Sequence, residues 1–329
     1  MAPDPEFRPP VWPQGGTGQT IWANYAPRPP ALRRLHATAQ SETLATPDGD
    51  HIRVHWSDGA SAAAPILVLL HGLTGCARSS QVLGLAEKGL VAGFAILRVD
   101  LRNALGDTPS VGVGHGGRSE DIITVLDHVR ARAPGRALAL IGYSLGGNIA
   151  LKALGEMADR ARPEIAAAVT ISVPIDLSAA CTAIDGAGNW MFRRYFVTRL
   201  KRIVERRRRA GRGRYGELDL ADVESIRAFD GRVVAPLCGF ASAEDYYRRS
   251  SSLPLIADIR VPTLLIQAID DPFIPFAAYE NAAIAANPAV KLLASRHGGH
   301  AGFWARRGVD PDRFWAEHRA IEFCRRRVL

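Results

Sequence analysis

Ala137-Leu138-Ala139-Leu140-Ile141-Gly142-Tyr143-Ser144-Leu145-Gly146-Gly147-Asn148 is the stretch on which the reading of this chain turns. An apolar run of β character enters Gly-Tyr-Ser-Leu-Gly, and a helix-like segment follows. This is the G-x-S-x-G elbow in a strand–turn–helix setting. For its hydroxyl to stand clear of a sheet, Ser144 must occupy a sharp, strained turn. Gly142 and Gly146 flank it at minus two and plus two, where a Cβ would clash as the new helix crosses the strand. The helix amino terminus then points at the site, and the Leu145 amide faces a developing oxyanion. A small-residue turn with a chance serine shares the five-residue pattern, so the surrounding chain has to support it.

Upstream, Glu42 to Thr46 and Asp50 to Trp56 flank Pro47-Asp48-Gly49, an Asp-Gly turn signal that predicts an antiparallel hairpin. Pro65 to Leu70 is a continuous apolar run, which suits a strand buried on both faces of a parallel sheet. It ends in His71-Gly72-Leu73-Thr74-Gly75. A helix is expected from Ser79 to Val91, a strand from Phe94 to Val99, and a long glycine-rich loop from Asp100 to Arg118. A loop of that length in a compact domain is more often functional than idle. A helix from Ser119, the elbow strand and helix, and a strand from Ile165 to Val173 follow. After an interruption the alternation resumes with Thr263 to Ala268, a helix near Phe276 to Ala286, a strand Val290 to Ala294 and a carboxyl-terminal helix from about Asp312 to Arg325. Repeated strand–helix alternation implies an α/β fold with a mostly parallel central sheet and helices on both faces.

The organisation expected over the 329 residues is an extended amino-terminal segment, 1–40, packed on the body; a core of 41–173 and 261–329; and a helical cap insertion, 174–260. The first forty residues are rich in proline and glycine, but Trp12, Trp22 and Tyr25 are costly to leave exposed. In the insertion, Tyr195, Phe196, Leu200, Ile203 and Val204 recur at helical spacing among arginines, running into Arg206 to Arg209 and Gly211-Arg212-Gly213-Arg214. An apolar stripe beside arginines is the pattern of an interfacial helix. A cap helix needs the same stripe for packing, so Phe196, Leu200 and Val204 are expected to be mostly buried, the arginines solvated, and membrane contact at most weak and peripheral.

Composition narrows the function classes. The chain is 47% apolar and carries a net charge of +8. Lysine occurs only at 88, 152, 201 and 291, so arginine supplies the charge throughout the chain; no aromatic–basic interleaving marks a nucleic-acid module. Cys76, Cys181, Cys238 and Cys324 lie far apart without a C-x-x-C pair, which speaks against a disulfide framework or a cysteine-based zinc site. No histidine–carboxylate spacing resembles a metal site, and His51 and His55 are expected to be ordinary surface residues. No metal or cofactor is expected. The start, Met-Ala-Pro-Asp-Pro-Glu, lacks the features of a signal peptide, and no apolar run approaches a membrane span, so a cytoplasmic protein is expected.

A serine hydroxyl is a poor nucleophile at neutral pH and needs a base, itself held by a third group. Asp271 follows one buried strand, and His300 lies in the loop after the next. The order Ser, Asp, His is that of α/β-hydrolases, and all three fall at carboxyl ends of strands. Asp271 precedes Pro272 and is preferred over its neighbour Asp270, whose alternative role is a loop cap. His300 follows two glycines and is preferred over His297. The Leu73 amide would join that of Leu145 in an oxyanion hole. His115 is a candidate pocket residue with a structural role equally open.

Together these motifs resemble the YheT-like branch of the α/β-hydrolase superfamily, related to the animal ABHD1/2/3 proteins. The matching residues are Gln19-Thr20-Ile21-Trp22, His71-Gly72-Leu73-Thr74-Gly75, His115-Gly116-Gly117 with Glu120-Asp121, the Gly142 to Asn148 elbow, Asp270-Asp271-Pro272-Phe273 and Gly298-Gly299-His300-Ala301-Gly302-Phe303. Two departures stand out: Asn103 where the family has glycine after arginine, and Thr17-Gly18 where it has His-Leu. The resemblance implies a carboxylic-ester hydrolase with Ser144, Asp271 and His300 as its triad. The expected substrate is a small-molecule acyl ester of short or medium chain. Acyl transfer to an alcohol, lipase-type action on membrane lipids and an idle hydrolase scaffold are the other readings.

Overall fold

The computed structural model describes the chain apart from residues 1–5, 30, 103, 106, 107, 162–164, 212–214, 217, 309 and 329. Asn103 and the Arg212–Arg214 part of the basic loop thus lie outside the described residues. The strands are β1 Gln40–Ala45, β2 His51–Ser57, β3 Ile66–Leu70, β4 Ala95–Asp100, β5 Leu138–Tyr143, β6 Ile165–Ile171, β7 Thr263–Ala268 and β8 Val290–Ser295. They form one sheet in the order β1-β2-β4-β3-β5-β6-β7-β8. β1 and β2 pair antiparallel through the Asp48-Gly49 turn, where Gly49 has φ +80°. β2 is antiparallel to β4, and the remaining pairs are parallel. This is the mostly parallel α/β architecture expected.

The helices that matter below are α1 Gly15–Tyr25, α2 Ala31–Ala37, α3 Ser80–Val91, α4 Ser119–Arg132, α5 Ser144–Met157, α6 Leu177–Asp185 and α7 Trp190–Arg209. Successive residues of β3 serve opposite faces. Val68 and Leu70 pack with Ile122 and Val125 of α4 and Ile149 and Leu154 of α5. Leu67 and Leu69 pack with Val82 and Leu85 of α3 and with Trp315 and Ile321 of the carboxyl-terminal helix Trp315–Val328. Both faces being covered, all residues of β3, β4, β5 and β7 are buried, which is why these strands read as unbroken apolar runs.

The first forty residues differ from the extended segment expected of them, because α1 and α2 are helical. The prolines that suggested extension sit outside α1, and tertiary contacts decide the rest. Gln19 is fully buried: its amide nitrogen donates to Pro13 O (3.0 Å) and Trp304 O (3.3 Å), and its oxygen accepts from Trp304 N (2.8 Å). Trp22 meets Trp304 edge-on, with 6.1 Å between ring centroids. Trp12 packs against Trp22 yet stays 67% exposed.

After Val173 the helices α6, α7, Ile226–Phe229, Ala235–Cys238 and Ala243–Ser250, with a π-helical turn Asp230–Val234, build an apolar cluster of their own. Leu200 and Val204 are buried as expected, whereas Phe196 is only partly so. One expectation fails. Arg207, within the basic run, is buried at 5% exposure, while Arg206, Arg208 and Arg209 are exposed. Its guanidinium donates to Gly112 O (2.6 Å), to Arg102 O and to the Tyr215 hydroxyl (3.1 Å). Its carbonyl partners, Gly112 and Arg102, are far away in sequence, so charge patterning within the helix cannot single it out. Arg102 is itself buried among Asp48, Asp50 and Asp121. Thus one arginine ties α7 to the loop between β4 and α4. Among the described residues, no helix is long and apolar enough to cross a membrane.

The Arg207 contacts predict an asymmetry within the basic run. Arg207→Ala strands buried carbonyls and is expected to cost about 2–4 kcal/mol by chemical denaturation. Arg206→Ala, at an exposed position, is expected to change stability by less than about 0.5 kcal/mol.

Candidate active site

β5 ends at Tyr143 and α5 begins at Ser144, so the strand passes into the helix without a loop. Ser144 has φ +46°, a left-handed value rare for a residue with a Cβ. Its neighbours explain how so abrupt a turn fits. A Cβ on Gly142 would lie 2.6 Å from the Gly147 Cα, and one on Gly146 would run into the His71 carbonyl oxygen. Asn148 anchors the new helix from within: its amide nitrogen donates to Gly116 O and Ser250 O (both 2.8 Å), and its oxygen accepts from Ser252 N (2.9 Å). The glycine-rich loop, the elbow helix and the inserted helices meet at that one side chain.

The structure brings Ser144, His300 and Asp271 together. His300 Nε2 lies 3.0 Å from Ser144 Oγ, and Nδ1 lies 3.0 Å from Asp271 Oδ2. With the proton on Nδ1, the imidazole donates to Asp271 and accepts from the serine hydroxyl. The Asp271 side chain is fully buried and accepts further from Phe273 N (2.8 Å), Ile274 N (3.2 Å) and Gln267 Nε2 (3.2 Å). Asp270 turns elsewhere. It accepts from Gly299 N (2.9 Å) and pairs with exposed His297 (3.3 Å), closing the loop that carries His300.

That loop is held from three sides. His300 N donates to Thr20 Oγ1 (2.8 Å), Ala301 N to Ser172 Oγ (2.9 Å), and Trp304 N to Gln19 Oε1. Thr20 Oγ1 in turn donates to Gly16 O (2.6 Å). Gly299 has φ +58°, and a Cβ there would collide with Gly16 O, so only glycine lets α1 approach this closely. Sequence reasoning did not foresee these supports. Gln19 and Thr20 stand in a motif it noticed, and two buried polar residues in a proline-rich segment are a signal of a tether.

The Gly72–Leu73 turn packs directly on the serine: a Cβ on Gly72 would lie 3.0 Å from the Ser144 Cβ. His71 sets this turn. Its Nδ1 donates to Gly72 O (2.8 Å) while its Nε2 accepts from Leu101 N (3.1 Å). Both bonds require the neutral ring, and burial pushes its pKa down. With the Gly72 carbonyl held by His71, the trans peptide directs the Leu73 N–H the opposite way.

Ser144 and His300 open into a pocket also lined by Leu73 and Leu145; its empty space, with the solvent at its mouth included, is about 740 Å³. Its walls are mainly apolar and come largely from the inserted helices, including Leu177, Phe196, Leu200 and Phe229. His115 lines it too; its Nδ1 accepts from Gly117 N (3.1 Å), and burial holds its pKa well below the ordinary histidine value. His51 is exposed, but His55 is not the surface residue expected. It is buried between Asp100 (2.9 Å) and Ser41 (2.8 Å), partners from neighbouring strands. No group of three or more His, Cys, Asp or Glu able to hold a metal occurs among the described residues.

A model of the alpha/beta hydrolase fold matches residues 65–306. The chain belongs to the α/β-hydrolase fold family. Within the family it goes with the YheT-like and ABHD proteins. It is 31% identical over 293 residues to YheT of Escherichia coli (strain K12), provisionally named an esterase, over 87% of this chain and 85% of that one. It is 28% identical over 327 residues to the human phospholipase ABHD3, over 94% and 78% of the two chains. The structure of the Pyrococcus furiosus esterase Pf2001 superposes with a TM-score of 0.59 at 16% identity, over 92% of this chain and 97% of that one, a likeness of fold.

For this α/β-hydrolase the Thr20 tether makes a specific prediction. Thr20→Val keeps the shape but removes the acceptor for His300 N. Turnover of an activated ester is expected to fall about tenfold, as a displaced base would give, with KM nearly unchanged. Thr20→Ser should restore it.

Proposed function

We propose that this chain is a serine carboxylesterase acting on small acyl esters of short or medium chain length. The observation that carries the reading is the Ser144–His300–Asp271 relay, with both links at 3.0 Å, at the wall of a largely apolar cavity. The names of YheT and ABHD3 support ester hydrolysis.

In this reading His300 Nε2 takes the proton as Ser144 Oγ attacks the ester carbonyl. The imidazolium that forms is stabilised by Asp271, whose remaining lone pairs are already occupied by backbone and Gln267 donors. The tetrahedral oxyanion accepts hydrogen bonds from the Leu73 and Leu145 amides, donors held in place before the reaction by the His71 lock and by the start of α5. His300 then protonates the leaving alcohol, and an acyl group remains on Ser144. Water, deprotonated by the same imidazole, attacks that acyl group and releases the acid. No metal or cofactor is needed for any step. Residues 174–260 act as a cap over the core formed by 41–173 and 261–329: their apolar walls hold the acyl chain and limit its length.

The test is hydrolysis of p-nitrophenyl esters of increasing chain length. Turnover is expected to be highest for short or medium chains and to decline for long ones. Asp271→Asn should lower kcat by about 10³–10⁴-fold through loss of the correct tautomer. Asp270→Asn, which touches only the loop, should lower it less than about tenfold. The opposite ranking would move the acid to Asp270. No hydrolysis of any ester would refute the reading.

A further inference from the structure

One wall of the cavity does not suit hydrocarbon. Asp230 lines it together with Ser144 and His300, and the residue is only 9% exposed. It opens the π-helical turn Asp230–Val234, a local irregularity of a kind frequently found at functional sites. The Tyr247 hydroxyl donates to Oδ2 at 2.7 Å. Among the described residues, no donor reaches Oδ1. The residue as a whole forms part of the cavity wall. Phe229, Val234 and Leu177 line the same cavity with apolar side chains, while Asp185, Arg227, Cys181 and Tyr246 are close enough to interact with the Asp230 charge.

Burying a carboxyl group with one of its oxygens unpaired is costly, and a leucine or asparagine would fill the space at lower cost. Arg227 stands 5.1 Å from the Tyr247 ring centroid, makes no hydrogen bond to Asp230 and is engaged with Glu244. The carboxyl is therefore not one half of a buried ion pair. Nor does it touch the Ser144–His300–Asp271 relay, whose hydrogen bonds are complete without it.

Building on the esterase reading, we infer that Asp230 is a polar subsite in the acyl cavity, taking a hydroxyl group carried by the substrate's buried chain. A hydroxyl offers one proton to Oδ1 and leaves its carbon neighbours on the apolar wall. An ammonium group would bring three N–H donors to an oxygen with two lone pairs, leaving at least one donor against the apolar wall, and would cost more to desolvate. Burial raises the Asp230 pKa to about 7, so the group is a pure acceptor above that pH and is best probed there. The substrate class that fits is an ester of a hydroxylated acid, with the hydroxyl some carbons away from the ester carbonyl.

The test measures binding and hydrolysis separately. In the Ser144→Ala protein at pH 8, calorimetry compares methyl octanoate with methyl esters carrying a hydroxyl at successive chain carbons, and with the methoxy twin of each. One hydroxyl position is expected to bind about tenfold or more tightly than both the plain ester and its methoxy twin, as a hydrogen bond to a charged group should. In Ser144→Ala/Asp230→Leu that advantage should fall below about twofold, because the acceptor is gone. Should the leucine variant fail to fold, Asp230→Asn serves. There the new amide donates, so the methoxy twin should draw level with the hydroxyl ester. Equal binding of plain and hydroxylated esters at every position would overturn the inference. So would an advantage that survives Asp230→Leu, or an Asn variant that still rejects the methoxy twin, or no binding of any ester. Hydrolysis of plain p-nitrophenyl esters by the unsubstituted protein reports on the esterase reading independently: if it fails while the hydroxyl preference in binding holds, only the activity is refuted.

Discussion

The backbone at Ser144 is forced into a left-handed conformation, and much of the structure can be read as what holds it there. Such a conformation costs of order 1–3 kcal/mol for a residue with a side chain and persists only where the surroundings over-determine it. Here they do. β5 is paired on both sides, by β3 and β6, so the strand cannot relax. α5 is pinned through Asn148 to two other segments. Gly142 and Gly146 permit helix and strand to approach as closely as the turn demands. The benefit is a half-buried hydroxyl at a helix amino terminus, open to the cavity, with the Gly72–Leu73 turn packed against it.

A second constraint is positional. The histidine must meet the serine from a loop more than 150 residues away, and such a loop has little rigidity of its own. The protein supplies it from elsewhere: α1 through Gln19 and Thr20, the end of β6 through Ser172, and the β7 loop through Asp270. On the other side of the site, Arg207 fastens α7 to the loop after β4. The amino-terminal segment and the inserted helices are thus mechanically part of the site, although neither supplies a member of the relay.

What was legible in the sequence follows from this division. The elbow and the buried strands are local patterns, each set by sterics or hydrophobic burial within a few residues, and the structure has them where the sequence places them; Asp271 and His300 are recognised from their places after successive strands rather than from a local pattern. The choice between Asp270 and Asp271 is partly local as well: Asp271 is followed at two and three positions by the amides of Phe273 and Ile274 that bind its oxygen. Other features depend on distant partners. Proline and glycine content pointed away from a helix at Gly15–Tyr25, but Gln19 bonds to Trp304 across 285 residues decide its packing. Arg207 reads as one more solvated arginine until Gly112 and Arg102 come to meet it. His55 looks exposed until β4 brings Asp100 beside it. Asp230 carries no local sign, because nothing in Ile226 to Val234 says that its turn faces a cavity.

The central claim is that Ser144 is a nucleophile activated by His300, and covalent labelling tests it most directly. Brief incubation with a fluorophosphonate, followed by peptide mass mapping, should place a single adduct on Ser144. In His300→Ala the rate of labelling should fall by at least about 10³-fold, since the unassisted hydroxyl is a poor nucleophile. An adduct on another residue, no adduct in the intact protein, or labelling that proceeds equally fast without His300 would contradict the account.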